Sequence, residues 1–197
     1  MNLTQLLKDI RSCTICASDL PCGPRPIIQA HTAAQLRIIG QAPGQKVHTS
    51  GIPWDDASGK KLREWLALTS EQFYDPAIVA LMPMGFCYPG KGKTGYLPPR
   101  IECAPKWHAP LDSLLPNIGL TLLIGQYAQA QYLPEARALS LTETVRNWKT
   151  YAPQQMIPLP HPSPRNRHWF VNNPWFERDL LPDLQHQITA LRLARAR

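Results

Sequence analysis

No stretch of the 197 residues approaches the roughly 18 uninterrupted apolar residues of a membrane-spanning helix, so no such span is expected. Internal repeats and low-complexity segments are also missing, which removes solenoids and disordered arrays. The first residues, MNLTQLLKDIRSC, place Lys8, Asp9 and Arg11 where a signal peptide needs its apolar stretch, so a cytoplasmic protein is expected. Acidic residues are scarce: 14 Asp plus Glu face 21 Lys plus Arg, a formal charge of +7. That balance points to an anionic partner such as nucleic acid and says nothing about fold.

What is present fits a globular chain, with 44% hydrophobic and 18% charged residues. The length suits one unit over residues 1–197, expected as a monomer, with residues 1–35 forming an N-terminal helix and loop. Proline is abundant: 21 residues are about twice the ordinary share and imply many rigid loops, where sites are built.

Leu3, Leu6, Leu7 and Ile10 follow an i, i+3, i+4, i+7 pattern and predict an amphipathic helix ending near Ser12 and Cys13. Residues 17–35, with Pro21, Gly23, Pro24 and Pro26, read as irregular. Four short apolar runs read as buried strands: Leu36 to Gln41, Ala77 to Pro83, Leu120 to Gly125, and Met156 to Pro160. Between the first two, Ser58 is the expected cap of a helix carrying Leu62, Trp65 and Leu66. Between the last two, Tyr127 to Leu133 reads as helical and Thr142 to Trp148 as a capped turn. At the C-terminus Asn173 is the expected cap with Pro174 first in the helix, and Leu184, Ile188 and Leu191 share a face after Pro182.

Apolar strands alternating with helices predict an α/β fold, a three-layer α/β/α sandwich around a four-stranded, largely parallel sheet. Ligands of such sheets bind beyond the carboxyl ends of the strands. The stretches to inspect are therefore Gln41 to Gly44, Met84 to Pro89, Gln126 and Tyr127, and His161 to Asn166.

Five cysteines are an odd number, and a cytoplasmic setting disfavours a disulfide framework. Cys13 and Cys16 form a C-x2-C pair, and Cys87 and Cys103 make a second pair 16 apart. Four thiolates suit a structural zinc site or an iron-sulfur cluster, and residue chemistry alone leaves both open, beside independent core thiols. Cys22 is read as the leftover thiol.

GQAPG at Gly40 to Gly44 and HPSPRN at His161 to Asn166 follow the first and fourth strands. Together they resemble the uracil-DNA glycosylase superfamily, whose G-x-x-P and H-P-S-P loops face each other across a base pocket. SGIPWDDASGKKL, Ser50 to Leu62, resembles the stretch that supplies its stacking aromatic. The cysteine pairs are most similar to those of the iron-sulfur type, family 4. The resemblance implies a [4Fe-4S] cluster on Cys13, Cys16, Cys87 and Cys103, with zinc as the alternative.

By the same resemblance the protein is expected to flip a deaminated, uracil-type base out of DNA and hydrolyse its N-glycosidic bond. His161 then donates to the base oxygen as charge builds, and Trp54 stacks on the base. Gly40, Ala42, Pro43, Gly44, Ser163, Arg165 and Asn166 complete the expected substrate contacts. The acid departs from the pattern, because Gln41 stands where family 4 has Glu and cannot serve as a base. Asp56, before Ser58 and Gly59, is the expected water-orienting carboxylate, with Gln41 assisting; its alternative is a favourable charge at a helix start. A second departure is LMPMGFC, which lacks the family's base-reading Asn. Arg165 occupies the wedge position, with Arg167 and His168 beside it and Lys46, Lys60, Lys61 and Arg63 near the facing loop. No well-placed lysine supports a lyase step. The rival expectation is a non-catalytic nucleic-acid or nucleotide binding member of the superfamily.

Overall fold

The computed structural model describes residues 2–93 and 95–195, with side chains of the last helix described through Leu191. Helix α1 (Leu3–Arg11) buries the four predicted apolar residues, and Asn2 caps it by accepting the Gln5 N–H at 2.9 Å. Strand β1 (Leu36–Ile39) leads through α2 (Gln45–Ser50), α3 (Ala57–Leu66) and α4 (Ser70–Tyr74) to β2 (Val79–Leu81). Helix α5 (Cys103–Ser113) precedes β3 (Leu120–Ile124), and α6 (Gln126–Tyr132) and α7 (Leu141–Arg146) precede β4 (Met156–Leu159). Helices α8 (Arg167–Asn172) and α9 (Leu181–Arg195) end the chain.

The four strands are all parallel, in the order β2-β1-β3-β4. Side chains alternate across the sheet. Leu36 and Ile38, Val79 and Leu81, Leu120, Leu122 and Ile124, and Ile157 and Leu159 share one core with Leu62, Trp65, Phe176, Leu184 and Ile188. On the other face Ala80 and Met82 pack with α1 and α5, and Ile39 and Leu123 pack with Ala128 of α6. Helices on both faces explain why the strands read as nearly unbroken apolar runs.

Local details correct several expectations. Asp56, not Ser58, caps α3, because its carboxylate accepts the Gly59 N–H at 2.8 Å while Ser58 is buried inside the first turn. Ser140, not Thr142, caps α7 in a capping box with Glu143. Residues 17–35 are more ordered than their prolines suggest. Gln29 pairs antiparallel with Leu81, and its side chain donates to the Val79 and Phe73 carbonyls, covering the outer edge of β2. Asn173 does not cap the last helix but ends α8, its N–H donating to the Phe170 carbonyl at 3.2 Å, and its side chain links Trp169 and Trp175. Pro182 lies inside the continuous C-terminal helix, directly after a π-helical turn at Phe176–Leu180. The wide turn accommodates the missing N–H and the ring that would otherwise strike the carbonyl four residues earlier.

Candidate active site

All four strands run towards one end of the sheet, and the loops leaving that end enclose a cavity of about 500 Å³. Its walls carry Gly40 to Gly44 after β1, Leu81 and Pro83 at β2, Gly125 and Gln126 after β3, and His161, Ser163, Arg165 and Asn166 after β4. The structure thus gathers both sequence motifs and Trp54 and Asp56 around one space. The GQAPG loop is fixed by its neighbour: Met84 and Gly85 donate N–H groups to the Gly40 and Gln41 carbonyls at 2.8 and 2.9 Å. Buried Gln129 donates to the Leu123 and Leu159 carbonyls, joining β3 to β4 just before His161.

Trp54 has a left-handed backbone, φ 59°, and its indole lies over Gly40. A Cβ at Gly40 would come within 2.8 Å of the ring, and one at Gly59 within 1.7 Å of the Trp54 carbonyl oxygen. Only glycine fits at either position, so GQAPG and the SGK turn are shaped around this tryptophan. The indole also meets the His161 ring at 5.8 Å between centroids and packs partly on the main core. Trp54 is therefore both a core-edge residue and a cavity wall.

Burial pushes the His161 imidazole below its ordinary range, and the Asp56 carboxylate partly opposes that shift. The ring is neutral at pH 7, and its nitrogens make no hydrogen bond among the described residues. The neutral ring carries one N–H available to a ligand. Asp56 uses one oxygen on the helix cap and still lines the cavity. Gln41 lies against Gly125, where a Cβ would stand 2.7 Å from its Nε2, and its carboxamide has no hydrogen bond among the described residues.

At the cavity mouth Arg165 is exposed, with a guanidinium nitrogen 3.4 Å from where a Cβ of Gly95 would lie. The segment around Gly95 folds back through a bridge between Lys91 and Tyr96, and it places Tyr96 and Leu97 on the wall. Sequence reading missed both; the only signal was a tyrosine and a leucine in a Gly- and Pro-rich stretch after Cys87. Arg25 was missed as well. Its guanidinium donates to the His48 and Thr49 carbonyls at 2.6 and 2.9 Å and caps the C-terminus of α2. A second groove of about 570 Å³ shares Ala57 and Ser163 with the cavity and carries Lys60, Lys61 and Arg167, with Glu64 and Glu177 also on its walls. Lys46 is exposed, but Arg63 is committed elsewhere, donating to the Tyr74 hydroxyl and lying over the Phe73 and Tyr74 rings.

Behind the β2 wall runs a buried polar chain that the apolar reading of β1 hid. Arg37 pairs with Asp112, donates to the Thr121 hydroxyl at 3.1 Å and stacks over the Tyr132 ring. Tyr132 contacts His108 Nδ1 at 2.7 Å, and His108 Nε2 meets the Pro83 carbonyl at 3.1 Å. A carbonyl only accepts, so Nε2 carries the proton and the tyrosine hydroxyl donates to Nδ1. Burial pushes His108 down to about 4, which keeps that tautomer neutral.

Cys13, Cys16, Cys87 and Cys103 converge on a separate small hollow walled by Phe86, Arg100 and Trp107, and Cys22 is exposed outside it. Burial pushes the Cys87 and Cys103 thiols up to about 11, with the neighbouring cysteines adding to the rise. A tetrahedral zinc with 2.3 Å bonds draws its sulfurs to about 3.8 Å of one another. Among the described residues no group of three or more His, Cys, Asp or Glu is set to hold a metal ion. The four cysteines line one hollow, and the structure does not choose between zinc, a cluster and free thiols there.

Among the described residues no helix is long and apolar enough to cross a membrane. Residues 29–185 match the family model of the uracil DNA glycosylase superfamily. The match includes the cavity loops, Cys87 and Cys103, and begins after Cys13 and Cys16.

Proposed function

Because the chain belongs to the uracil DNA glycosylase superfamily, we propose that it excises a flipped, deaminated base, uracil foremost, from DNA by hydrolysis of the N-glycosidic bond. The observation that carries this reading is the meeting of Gly40 to Gly44, Trp54, Asp56 and His161 in one cavity at the carboxyl edge of the sheet.

The C1′–N1 bond breaks with its electron pair leaving on the base, so charge gathers on the uracil O2 and the sugar becomes cationic. His161, neutral and unpaired, donates its N–H to that oxygen. The free oxygen of Asp56 faces the sugar side, stabilises the cation and orients the water that adds to C1′. Gln41 assists by holding that water through its unpaired carboxamide. The water's proton passes to Asp56 and on to solvent, and the departing uracil anion takes up a proton from solvent at N1, so that free uracil and the C1′ hydroxyl are the products. Trp54 walls the base, and the basic groove beside Ser163 takes the flanking strand through its phosphates.

Cys13, Cys16, Cys87 and Cys103 would hold a [4Fe-4S] cluster, which supplies a cross-link between the N-terminal segment, the loop after β2 and the start of α5. Iron and acid-labile sulfide in equal amounts in a brown sample support it; a colourless sample with stoichiometric zinc would sink it.

The site is tested by single-turnover excision from a uracil-containing oligonucleotide. His161→Ala lowers the rate about 100- to 1000-fold, as removal of one preorganised donor does elsewhere. A rate unchanged in that variant contradicts the mechanism. The second reading, a nucleic-acid binding protein without catalysis, draws on the helix cap that occupies one Asp56 oxygen and on the missing Asn of the β2 loop. DNA binding with no base released would favour it.

A further inference from the structure

The end of β2 offers a base no side-chain amide and no free N–H from Pro83 to Gly85. Pro83 has no N–H and its carbonyl accepts from His108, while the N–H groups of Met84 and Gly85 are spent on the GQAPG loop. No side-chain amide stands between Leu81 and Cys87. A pocket can tell uracil from cytosine at the exocyclic C4 group or at the ring nitrogen next to the O2 carbonyl, which bears a proton only in uracil.

Three side-chain amides line the cavity: Gln41, Gln126 and Asn166. The first two make no side-chain hydrogen bond among the described residues, so either end of each amide can face a ligand and neither can discriminate. Asn166 differs. Its Nδ2 lies 2.8 Å from the His161 carbonyl oxygen, and since a carbonyl only accepts, the amide orientation is fixed by chemistry. Its backbone N–H is held as well, donating to Ser163 at 2.9 Å. The remaining atom, Oδ1, has no partner among the described residues and can only accept.

We propose that Asn166 is the base-reading residue of this pocket, its locked Oδ1 accepting the ring N–H of a lactam base whose adjacent oxygen is held by His161. The inference rests on the glycosylase reading above and adds its specificity. Uracil presents a ring N–H there; cytosine presents a lone pair, which Oδ1 repels. The amide lost from the loop after β2 is thereby replaced from the loop after β4, tied to the same residue that supplies the catalytic donor.

The test compares release of uracil and of N3-methyluracil from otherwise identical oligonucleotides, in the wild-type protein and in Asn166→Leu, which keeps the volume and removes the polar atoms. Wild-type protein prefers uracil, and in Asn166→Leu uracil release falls about 10- to 100-fold with the preference collapsing by at least tenfold. A purely structural role of Asn166 in the loop would slow both substrates together and leave the ratio unchanged, which would overturn the inference alone. Release of neither base by the wild-type protein overturns the glycosylase reading, and the inference with it. Thermal unfolding of both proteins checks that the variant is folded.

Discussion

Gly59 shows how much one residue carries at this site. A methyl group there would stand 1.7 Å from the Trp54 carbonyl oxygen, and neither backbone can yield without moving the α3 cap or the cavity wall. Gly59→Ala is expected to cost about 3 kcal/mol or more in chemical denaturation, beyond ordinary overpacking. Asp56 and His161 give a second prediction at this scale. The carboxylate favours the imidazolium, so its removal must lower the histidine pKa further. In an NMR titration His161 titrates below the ordinary value near 6.5 in the wild-type protein and lower still in Asp56→Asn; an unchanged value separates the two groups. That His161 and Trp54 share a cavity wall and that four cysteines share a hollow was legible from the motifs and the family resemblance. Arg25, Tyr96 and Asn166's locked amide were not, since a long-range cap, a folded-back loop and a hydrogen-bond direction leave no periodic trace.

Among the elements, the strands and α1 were legible from apolar runs and spacing, because burial on both faces writes itself directly into composition. The helix starts were harder. Asp56 and Ser140 each compete with a neighbouring hydroxyl residue of similar capping preference, and only the folded geometry decides. Gln129 illustrates what elements do for the site: it ties the ends of β3 and β4 together two residues before the HPSPRN loop. Gln129→Leu removes the side-chain donor from both carbonyls, Leu159's keeping the Gly125 N–H at 2.9 Å, and is expected to cost about 1 to 3 kcal/mol. Excision falls with it, because the loop carrying His161 then hangs on the Gly125 N–H to Leu159 without the side-chain clamp; full activity in a destabilised variant would separate the clamp from the site.

For the whole molecule, the charge of +7 foretold an anionic partner but not its path. In the folded chain Arg165 is exposed at the cavity, Lys60 and Arg167 are exposed on the adjoining groove, and Lys46 is exposed on α2, whereas Arg63 is occupied by Tyr74 and Lys61 pairs with Glu64 at 3.4 Å. Binding of DNA should therefore weaken steeply with salt, and Arg165→Ala and Arg167→Ala should each reduce the log-log slope by about 1. Arg63→Ala should leave the slope unchanged.

The central claim is that this cavity hydrolyses the bond between a flipped base and its sugar. The most direct measurement is chromatographic detection of the free base after incubation with oligonucleotides carrying uracil, hypoxanthine or xanthine, followed by strand analysis with and without alkali. The expected result is free uracil, with the strand intact until alkali opens the abasic site. No free base from any of the three despite salt-dependent DNA binding, or a strand nicked without alkali, would contradict the account.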